Sequence, residues 1–301
     1  MKKKFISGIL CILGATALSA QVDQPNIIFI LTDDLGYGDV GVLFQKQREG
    51  VQLKTPELDQ MAEEGTIMNR HYCPAPICAP SRASLITGMH QGHSNVRNMQ
   101  FDKAIEDNWN FANTLQKSGY YTIHLGKYGL QGWGKSPTKW AGYPTKRGFD
   151  YFYGYVRHVD GHQHYPANFW EIGDNKSHQG KKEVWENNTE VSAGLDKCYT
   201  TDLWTAKAKK MIIDQTKNNP KRPFFMYLAY DTPHAALQLP TTAYPNGKGI
   251  NGGLQWLGKP GKIINTAIGT IDNYRDPIYT DKGLTDVAER FATSITRIDH
   301  C

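Results

Sequence analysis

Residues 25–34, "PNIIFILTDD", hold an unbroken apolar run from Ile27 to Leu31 that ends at two adjacent carboxylates. Such a run of β-branched and aromatic residues, without polar alternation, is typical of a strand buried on both faces, and strands of that kind are usually parallel. The stretch therefore predicts the first strand of a parallel sheet, with Asp33 and Asp34 at its carboxyl end.

Further strands and helices alternate along the chain. Apolar strands are predicted in "YYTIHLGKYG", which ends at Gly126, and from Phe224 to Tyr230 in "RPFFMYLAYDTPH". Helices are predicted in "KTPELDQMAEEG", "NWNFANTLQKSG" and "DLWTAKAKKMIIDQTKNNP". This alternation predicts an α/β fold with a large, mostly parallel sheet sandwiched by helices.

The first of these helices carries clear boundary signals. Thr55 is the expected N-cap, Pro56 suits the first helical position, and Gly65 is the expected stop. By contrast, the glycine-rich stretches 128–180 and 240–285 are expected to be long irregular insertions, which usually carry function or move.

The last segment, "LTDVAERFATSITRIDHC", has apolar residues at helical spacing. These positions are Val287, Ala288, Phe291, Ala292, Ile295 and Ile298. An amphipathic helix needs a partner for its apolar face. No strand follows this helix in the sequence to provide one. We therefore expect that the C-terminal part of the catalytic domain, 21–301, is missing from this sequence.

The first 20 residues have the layout of a secretory signal peptide: three lysines, a short apolar run, then small residues up to Ala20. The mature protein is expected to be periplasmic or secreted, with no membrane association after cleavage; Cys11 lies inside the apolar run, which disfavours a lipoprotein. Losing the three lysines reduces the net charge from +5 to +2. This near balance gives no indication of nucleic-acid binding.

Four ionisable residues follow the predicted strands. Asp33 and Asp34 follow the first, Lys127 the second and His234 the third, so all four are expected at one edge of the sheet, where α/β proteins bind ligands. Each alone has an ordinary explanation, such as a turn cap or a solvated lysine. Together they favour hydrolysis of an anionic ester with Ca²⁺ or Mg²⁺.

Cys78 precedes "APSRASLITG", where a proline in the first turn predicts a helix whose N-terminus would attract an anion. Export makes disulfides possible, and a Cys73–Cys78 bridge is the alternative explanation of this cysteine.

These motifs resemble those of the type I sulfatases, members of the alkaline phosphatase superfamily. "CAPSRASLITG" resembles the signature in which cysteine is converted to formylglycine; "PNIIFILTDDLGYGDVG" resembles the strand with the metal-binding aspartate pair. "GKYGLQG" and "DTPHAALQLP" resemble the family's Gly-Lys-Trp-His-Leu-Gly and Pro-His segments. The resemblance runs in family order from Pro25 to the last residue.

The resemblance implies a mechanism for sulfate ester hydrolysis. Formylglycine derived from Cys78 would hydrate, and its hydroxyl, activated by a Ca²⁺ or Mg²⁺ ion on Asp33 and Asp34, would attack sulfur. Arg82 would pair with the metal-side oxygens, and Lys127 would bridge the sulfate and residue 78. His234 would donate a proton to the leaving oxygen. The implied partners are a sulfated small molecule or glycan and a formylglycine-generating maturation enzyme.

Two departures from the family pattern stand out. The family histidine two residues after the lysine is Gly129 here, and His93, His162 or His164 are the candidate replacements. The family's later Asp-Asn-Gly metal segment and its second active-site lysine are expected beyond Cys301.

Alternatives remain open. His158, His162 and His164 could together bind zinc, although a polar, aromatic-rich loop more often faces substrate, and His162 is predicted to contact a sugar. A phosphonate or phosphate monoester hydrolase of the same superfamily is the enzymatic alternative. A non-catalytic carbohydrate-binding protein, or an inert fragment, is the other.

Overall fold

A computed structural model of the chain describes residues 24–166, 182–235, 237–244 and 270–301. The predicted signal peptide and parts of both predicted insertions lie outside the described residues. The α-helices are α1 (Pro56–Glu64), α2 (Cys78–Thr87), α3 (Phe111–Lys117), α4 (Thr200–Asn218) and α5 (Asp286–His300). The strands are β1 (Ile27–Asp33), β2 (Tyr121–Gly126), β3 (Tyr151–Tyr155), β4 (Val184–Glu186), β5 (Thr189–Glu190) and β6 (Phe224–Pro233).

The strands form one sheet in the order β1-β6-β2-β3-β4-β5. β1, β6, β2 and β3 run parallel to one another, whereas β4 pairs antiparallel with both β3 and β5 at the other end of the sheet. Asp33 pairs with Pro233, and Gly126 pairs with Ala229, so β1, β6 and β2 end at the same edge. The predicted mostly parallel α/β fold is confirmed.

Helices cover both faces of the sheet, and β6 shows why. Phe224, Met226 and Leu228 face a cluster that contains α4, whereas Phe225 and Tyr227 face the cluster that contains α2 and α3. This period of two is the geometry of a strand, and both sets are buried because each face of the sheet carries a helical layer.

The structure corrects two predictions about strands. β1 is not buried on both faces, since Ile28 is 45% exposed and Ile30 is 50% exposed among the described residues. The predicted insertion 128–180 contains a central element of the sheet: β3, whose sequence "YFYGY" is fully buried and pairs parallel with β2.

Helix α1 begins after the N-cap residue Thr55 and ends before Gly65, as predicted, but the Thr55 side chain makes no capping hydrogen bond. Its hydroxyl instead accepts a hydrogen bond from the Gly41 backbone N–H at 2.8 Å. The Asp299 carboxylate, at the end of α5, accepts hydrogen bonds from the backbone N–H groups of Glu57 and Leu58 at 3.1 and 2.8 Å. The N-terminus of α1 is therefore capped by a residue more than 240 positions away.

Helix α5 has a packing partner after all. Ala292 and Ile295 pack with Leu53 and Tyr279 in a small separate cluster. The helix is also tied to α4 by an ion pair in which two Arg297 nitrogens each donate to the Asp202 carboxylate at 2.7 Å. Both side chains are almost fully buried. The apolar face of α5 therefore has partners among the described residues, and the expected absence of a C-terminal part stays a prediction.

Two glycines allow the ends of three strands to approach closely. A Cβ atom on Gly126 would overlap the Ala229 carbonyl oxygen of β6, and a Cβ atom on Gly154 would overlap the Gly126 carbonyl oxygen of β2. The backbone of Lys127 follows directly, and its N–H donates to that same Ala229 carbonyl at 2.9 Å.

Within the described ranges, no helix has the length and hydrophobicity to cross a bilayer.

Candidate active site

Asp33 lies at the centre of a buried group of charges where the parallel strands end. Its Oδ2 atom accepts hydrogen bonds from Lys127 Nζ at 2.7 Å and from Arg82 Nη2 at 3.2 Å. The second arm of the Arg82 guanidinium donates to the Lys127 carbonyl at 2.9 Å. Burial alone would raise the pKa of Asp33, but the two cations outweigh it and hold that pKa well below its usual value. Asp33 is therefore ionised.

Cys78 is the first residue of α2, whose N-cap is Ile77. Its Sγ atom and the ligand atoms of Asp33 and His234 all lie within 4.8 Å of one another. Burial raises the pKa of the Cys78 thiol, which leaves it protonated at neutral pH and a poor thiolate nucleophile. The strand end, the start of α2 and the turn after β6 thus meet at one point.

An open cleft of about 240 Å³ runs beside this point and is lined by Asp33, Asp34, Cys78 and Arg82, among others. Asp34 is exposed there. Loss of hydration and the neighbouring Asp33 carboxylate raise the pKa of Asp34 to about 6. A divalent cation would relieve this repulsion, and carboxylate oxygens are the ligands that Ca²⁺ and Mg²⁺ prefer. The donor set fits a hard cation.

Three histidine rings lie close to Cys78. Ring nitrogens of His158 and His162 lie within 4.8 Å of each other and of Cys78 Sγ. The His162 ring stacks on that of His234, with centroids 4.4 Å apart and planes 7° from parallel. Burial, and then repulsion from Lys127, lowers the pKa of His234 to about 4. His234 is therefore a neutral imidazole at pH 7 in this state.

The predicted zinc triad of His158, His162 and His164 is not assembled among the described residues. His164 Nδ1 lies instead 3.5 Å from the buried Asp231 carboxylate. His93, another candidate replacement for the family histidine, is exposed and packs against His90. His162 is the one candidate of the three that lies beside Cys78.

The Cys73–Cys78 disulfide is also not formed. Cys73, Cys78, Cys198 and Cys301 are all free.

Sequence reasoning assigned no role at this site to His158 other than zinc binding and did not identify Phe101. The two rings stack with centroids 4.5 Å apart and planes 17° from parallel. One signal in the sequence could have pointed to His158: a glycine at 129 leaves a volume that some other side chain must fill.

Comparisons with known proteins show the family of the chain. The sulfatase family matches residues 25–301. Mouse arylsulfatase J is 31% identical over 77% of this chain and 36% of its own length. Mouse N-acetylgalactosamine-6-sulfatase is 30% identical over 75% of this chain and 43% of its own length. The crystal structure of Ps i-CgsB is 25% identical and superposes with a TM-score of 0.63 over 91% of this chain and 52% of that one.

The chain therefore spans about half the length of these relatives, or less. The family match nevertheless covers nearly all of the sequence and includes every buried charge of the site. From the strand ends, the cleft and this match together, we conclude that the chain belongs to the sulfatase family.

Proposed function

We propose that this protein hydrolyses sulfate esters of a carbohydrate or an aryl alcohol, and that residues 21–301 belong to its catalytic domain. One observation carries the proposal: Asp33, Cys78 and His234 place their ligand atoms within 4.8 Å of one another at the carboxyl ends of parallel strands. Two buried cations, Arg82 and Lys127, lie against the same carboxylate. Such an arrangement suits an anion that contacts both cations at once.

Two groups would complete the chemistry. A Ca²⁺ or Mg²⁺ ion held by Asp33 and Asp34 would withdraw charge from a sulfate oxygen. Conversion of Cys78 to formylglycine would supply an oxygen nucleophile in place of a protonated thiol. The raised pKa of Cys78 supports this assignment, because the unmodified thiol is poorly suited to attack.

Arg82 and Lys127 supply fixed positive charge where negative charge builds up on the sulfuryl oxygens. Their positions are set before substrate binds, because both already contact Asp33 and are almost fully buried. Removing one such preorganised donor typically costs ~10²–10³-fold in rate. Electrostatic stabilisation is therefore the main contribution of these two side chains.

We assign to His234 the donation of a proton to the leaving oxygen. Lys127 is the main charged neighbour that lowers its pKa, and a bound sulfate anion would offset that repulsion and raise the pKa towards neutrality. The stacked ring of His162 would contact the leaving group beside it. A ring-lined wall of this kind suits a sugar, and one of the similar proteins is named an N-acetylgalactosamine-6-sulfatase.

The protein must be assayed as its full-length gene product, exported and co-expressed with a formylglycine-generating enzyme. We expect turnover of p-nitrophenyl sulfate to exceed that of p-nitrophenyl phosphate and of a phosphonate monoester. Cys78→Ala should abolish turnover without unfolding the protein, whereas the matched control Cys198→Ala, in the cluster under α4, should retain it. Mass spectrometry of the peptide containing residue 78 should show loss of sulfur and gain of an aldehyde.

The alternatives give different results in the same assay. Faster turnover of the phosphorus esters would identify a phosphonate or phosphate monoester hydrolase. Binding of sulfated glycans without turnover by matured protein would identify a carbohydrate-binding protein. Recovery of the mature protein in the cytoplasmic fraction alone would contradict the proposed periplasmic or secreted location.

A further inference from the structure

Gly129, the position where the resemblance leads us to expect a histidine, has its side-chain volume filled from elsewhere. Its φ of +75° favours glycine, and a Cβ atom built there would lie 2.8 Å from His158 Nδ1. The backbone is fixed at this point, because the Gly129 N–H donates to the Val156 carbonyl at 2.9 Å. The His158 imidazole therefore occupies the volume that a side chain at 129 would enter.

The neighbours of His158 hold its ring in one orientation. Its backbone N–H donates to the Asp102 carboxylate at 2.7 Å, and its ring stacks on Phe101. The His162 ring meets it edge-on with centroids 4.9 Å apart. A ring packed on two sides in this way loses little further entropy when it engages a reacting group.

The His158 imidazole is fully buried, yet neither ring nitrogen has a hydrogen-bond partner within the described ranges. Buried polar atoms are rarely left unsatisfied, and an exception points to a missing ligand or a catalytic role. A ring nitrogen lies within 4.8 Å of Cys78 Sγ. One of the two unsatisfied nitrogens is thus beside the residue whose modification would supply the nucleophile.

The charges around His158 keep its ring neutral. Burial, with repulsion from Lys127, His162 and Arg82, lowers its pKa well below the usual value, and Asp33 opposes this only in part. A neutral imidazole offers one lone pair as a hydrogen-bond acceptor. An ammonium or guanidinium group cannot do this, so Lys127 and Arg82 cannot take the same role.

We propose that His158 replaces the side chain missing at Gly129 and accepts a hydrogen bond from the hydroxyl nucleophile at position 78, which it orients towards sulfur. This inference rests on the proposed sulfatase function. His158, in the segment after β3, would make the contact with the nucleophile that Gly129, in the segment after β2, has no side chain to make.

A Cys78→Ser variant tests this contact without any maturation step. Its hydroxyl oxygen would attack the sulfur of p-nitrophenyl sulfate, the bond from sulfur to the phenolic oxygen would break, and the hydroxyl proton would pass to the imidazole. One equivalent of p-nitrophenolate would be released, and the protein would gain the mass of one sulfuryl group. A single hydroxyl cannot expel the sulfate again, so the label persists and can be counted.

The rate of labelling is then compared after His158→Ala is added to Cys78→Ser. We expect the limiting rate at saturating substrate to fall at least ~10²-fold, with little change in the half-saturating concentration. His158→Gln, whose amide oxygen accepts a hydrogen bond, should recover part of the rate. His93→Ala is the matched control and should leave the rate unchanged, since His93 is exposed.

Gly129→Ala provides a test that leaves His158 itself intact. Its Cβ atom would push the ring aside, and labelling should slow. Labelling at an unchanged rate in His158→Ala or in Gly129→Ala would overturn the inference, as would a loss found only in His162→Ala. Failure of Cys78→Ser alone to be labelled would overturn the sulfatase function, and the inference with it.

Discussion

Replacing Arg82 by lysine should destabilise the protein as well as slow it. The Arg82 side chain is 2% exposed and reaches two acceptors in different directions, the Lys127 carbonyl at 2.9 Å and Asp33 Oδ2 at 3.2 Å. Lysine has a single ammonium on a flexible stem and cannot reproduce this planar fork. One of these two buried hydrogen bonds would be lost. A hydrogen bond to a charged group contributes about 1.5–3 kcal/mol, so we expect the free energy of unfolding to fall by that amount.

Urea unfolding followed by tryptophan fluorescence measures this difference. The matched control is Arg222→Lys, because Arg222 also contacts a carboxylate, Asp150, and a backbone carbonyl, that of Tyr120, but is exposed. Water can replace the lost contact there, so the control should cost less than about 1 kcal/mol. If Arg82→Lys costs no more than Arg222→Lys, the buried fork does not stabilise the site as argued. In matured protein, the same substitution should lower kcat by ~10²-fold or more.

Three further predictions concern acid stability, the ion pair between helices, and metal binding. Burial among aromatic rings lowers the pKa of His124 from 6.5 to about 3. As pH falls, this histidine is therefore protonated in the unfolded chain before it is protonated in the folded protein. The free energy of unfolding should thus decrease as pH falls from 6.5 towards 3. His124→Phe should make that decrease shallower in urea unfolding at pH 7 and pH 5; an unchanged slope would contradict it. Arg297→Met, which leaves Asp202 buried without its partner, should lower the free energy of unfolding by about 3–5 kcal/mol, and a loss below about 1 kcal/mol would show that the pair is dispensable. Added Ca²⁺ or Mg²⁺ should raise Tm, by the equivalent of about 2.7 kcal/mol at 100-fold over Kd, whereas Asp34→Asn should retain its basal Tm and lose the increase; an equal increase in that variant would exclude Asp34 as a ligand.

The sequence predicted those parts of the sheet whose apolar runs are continuous. β1 and β6 each contain such a run. β2 has Thr122 and His124 among its apolar residues and was predicted because it follows a helix that ends at a glycine. The parallel pairing of these three strands follows from the helices between them. β3 was not predicted, because "YFYGY" is rich in tyrosine, has a glycine in its middle and lies in a glycine-rich region. Its pairing with β2 stabilises it as a strand, and a pairing partner is not a local property of the sequence.

The site divides in the same way. Asp33, Lys127 and His234 could be placed together because each follows a strand that ends at one edge of a parallel sheet. Cys78 was placed by its motif. The position of His158 depends instead on how the chain after β3 returns over Gly129, which the hydrogen bond from Gly129 to Val156 fixes. The path of this segment could not be predicted from hydrophobic periodicity or from the spacing of motifs.

The close approach of β2, β3 and β6 has a consequence for any saturation mutagenesis of this protein. Gly126 and Gly154 admit no side chain, not even a methyl group, because a carbonyl oxygen already fills the volume that it would take. In such an experiment, Gly126 and Gly154 would tolerate as few substitutions as the charged residues of the active site. A ranking of positions by intolerance to substitution would therefore count these two glycines as catalytic residues. Only purified variants assayed for folding would separate positions needed for packing from positions needed for catalysis.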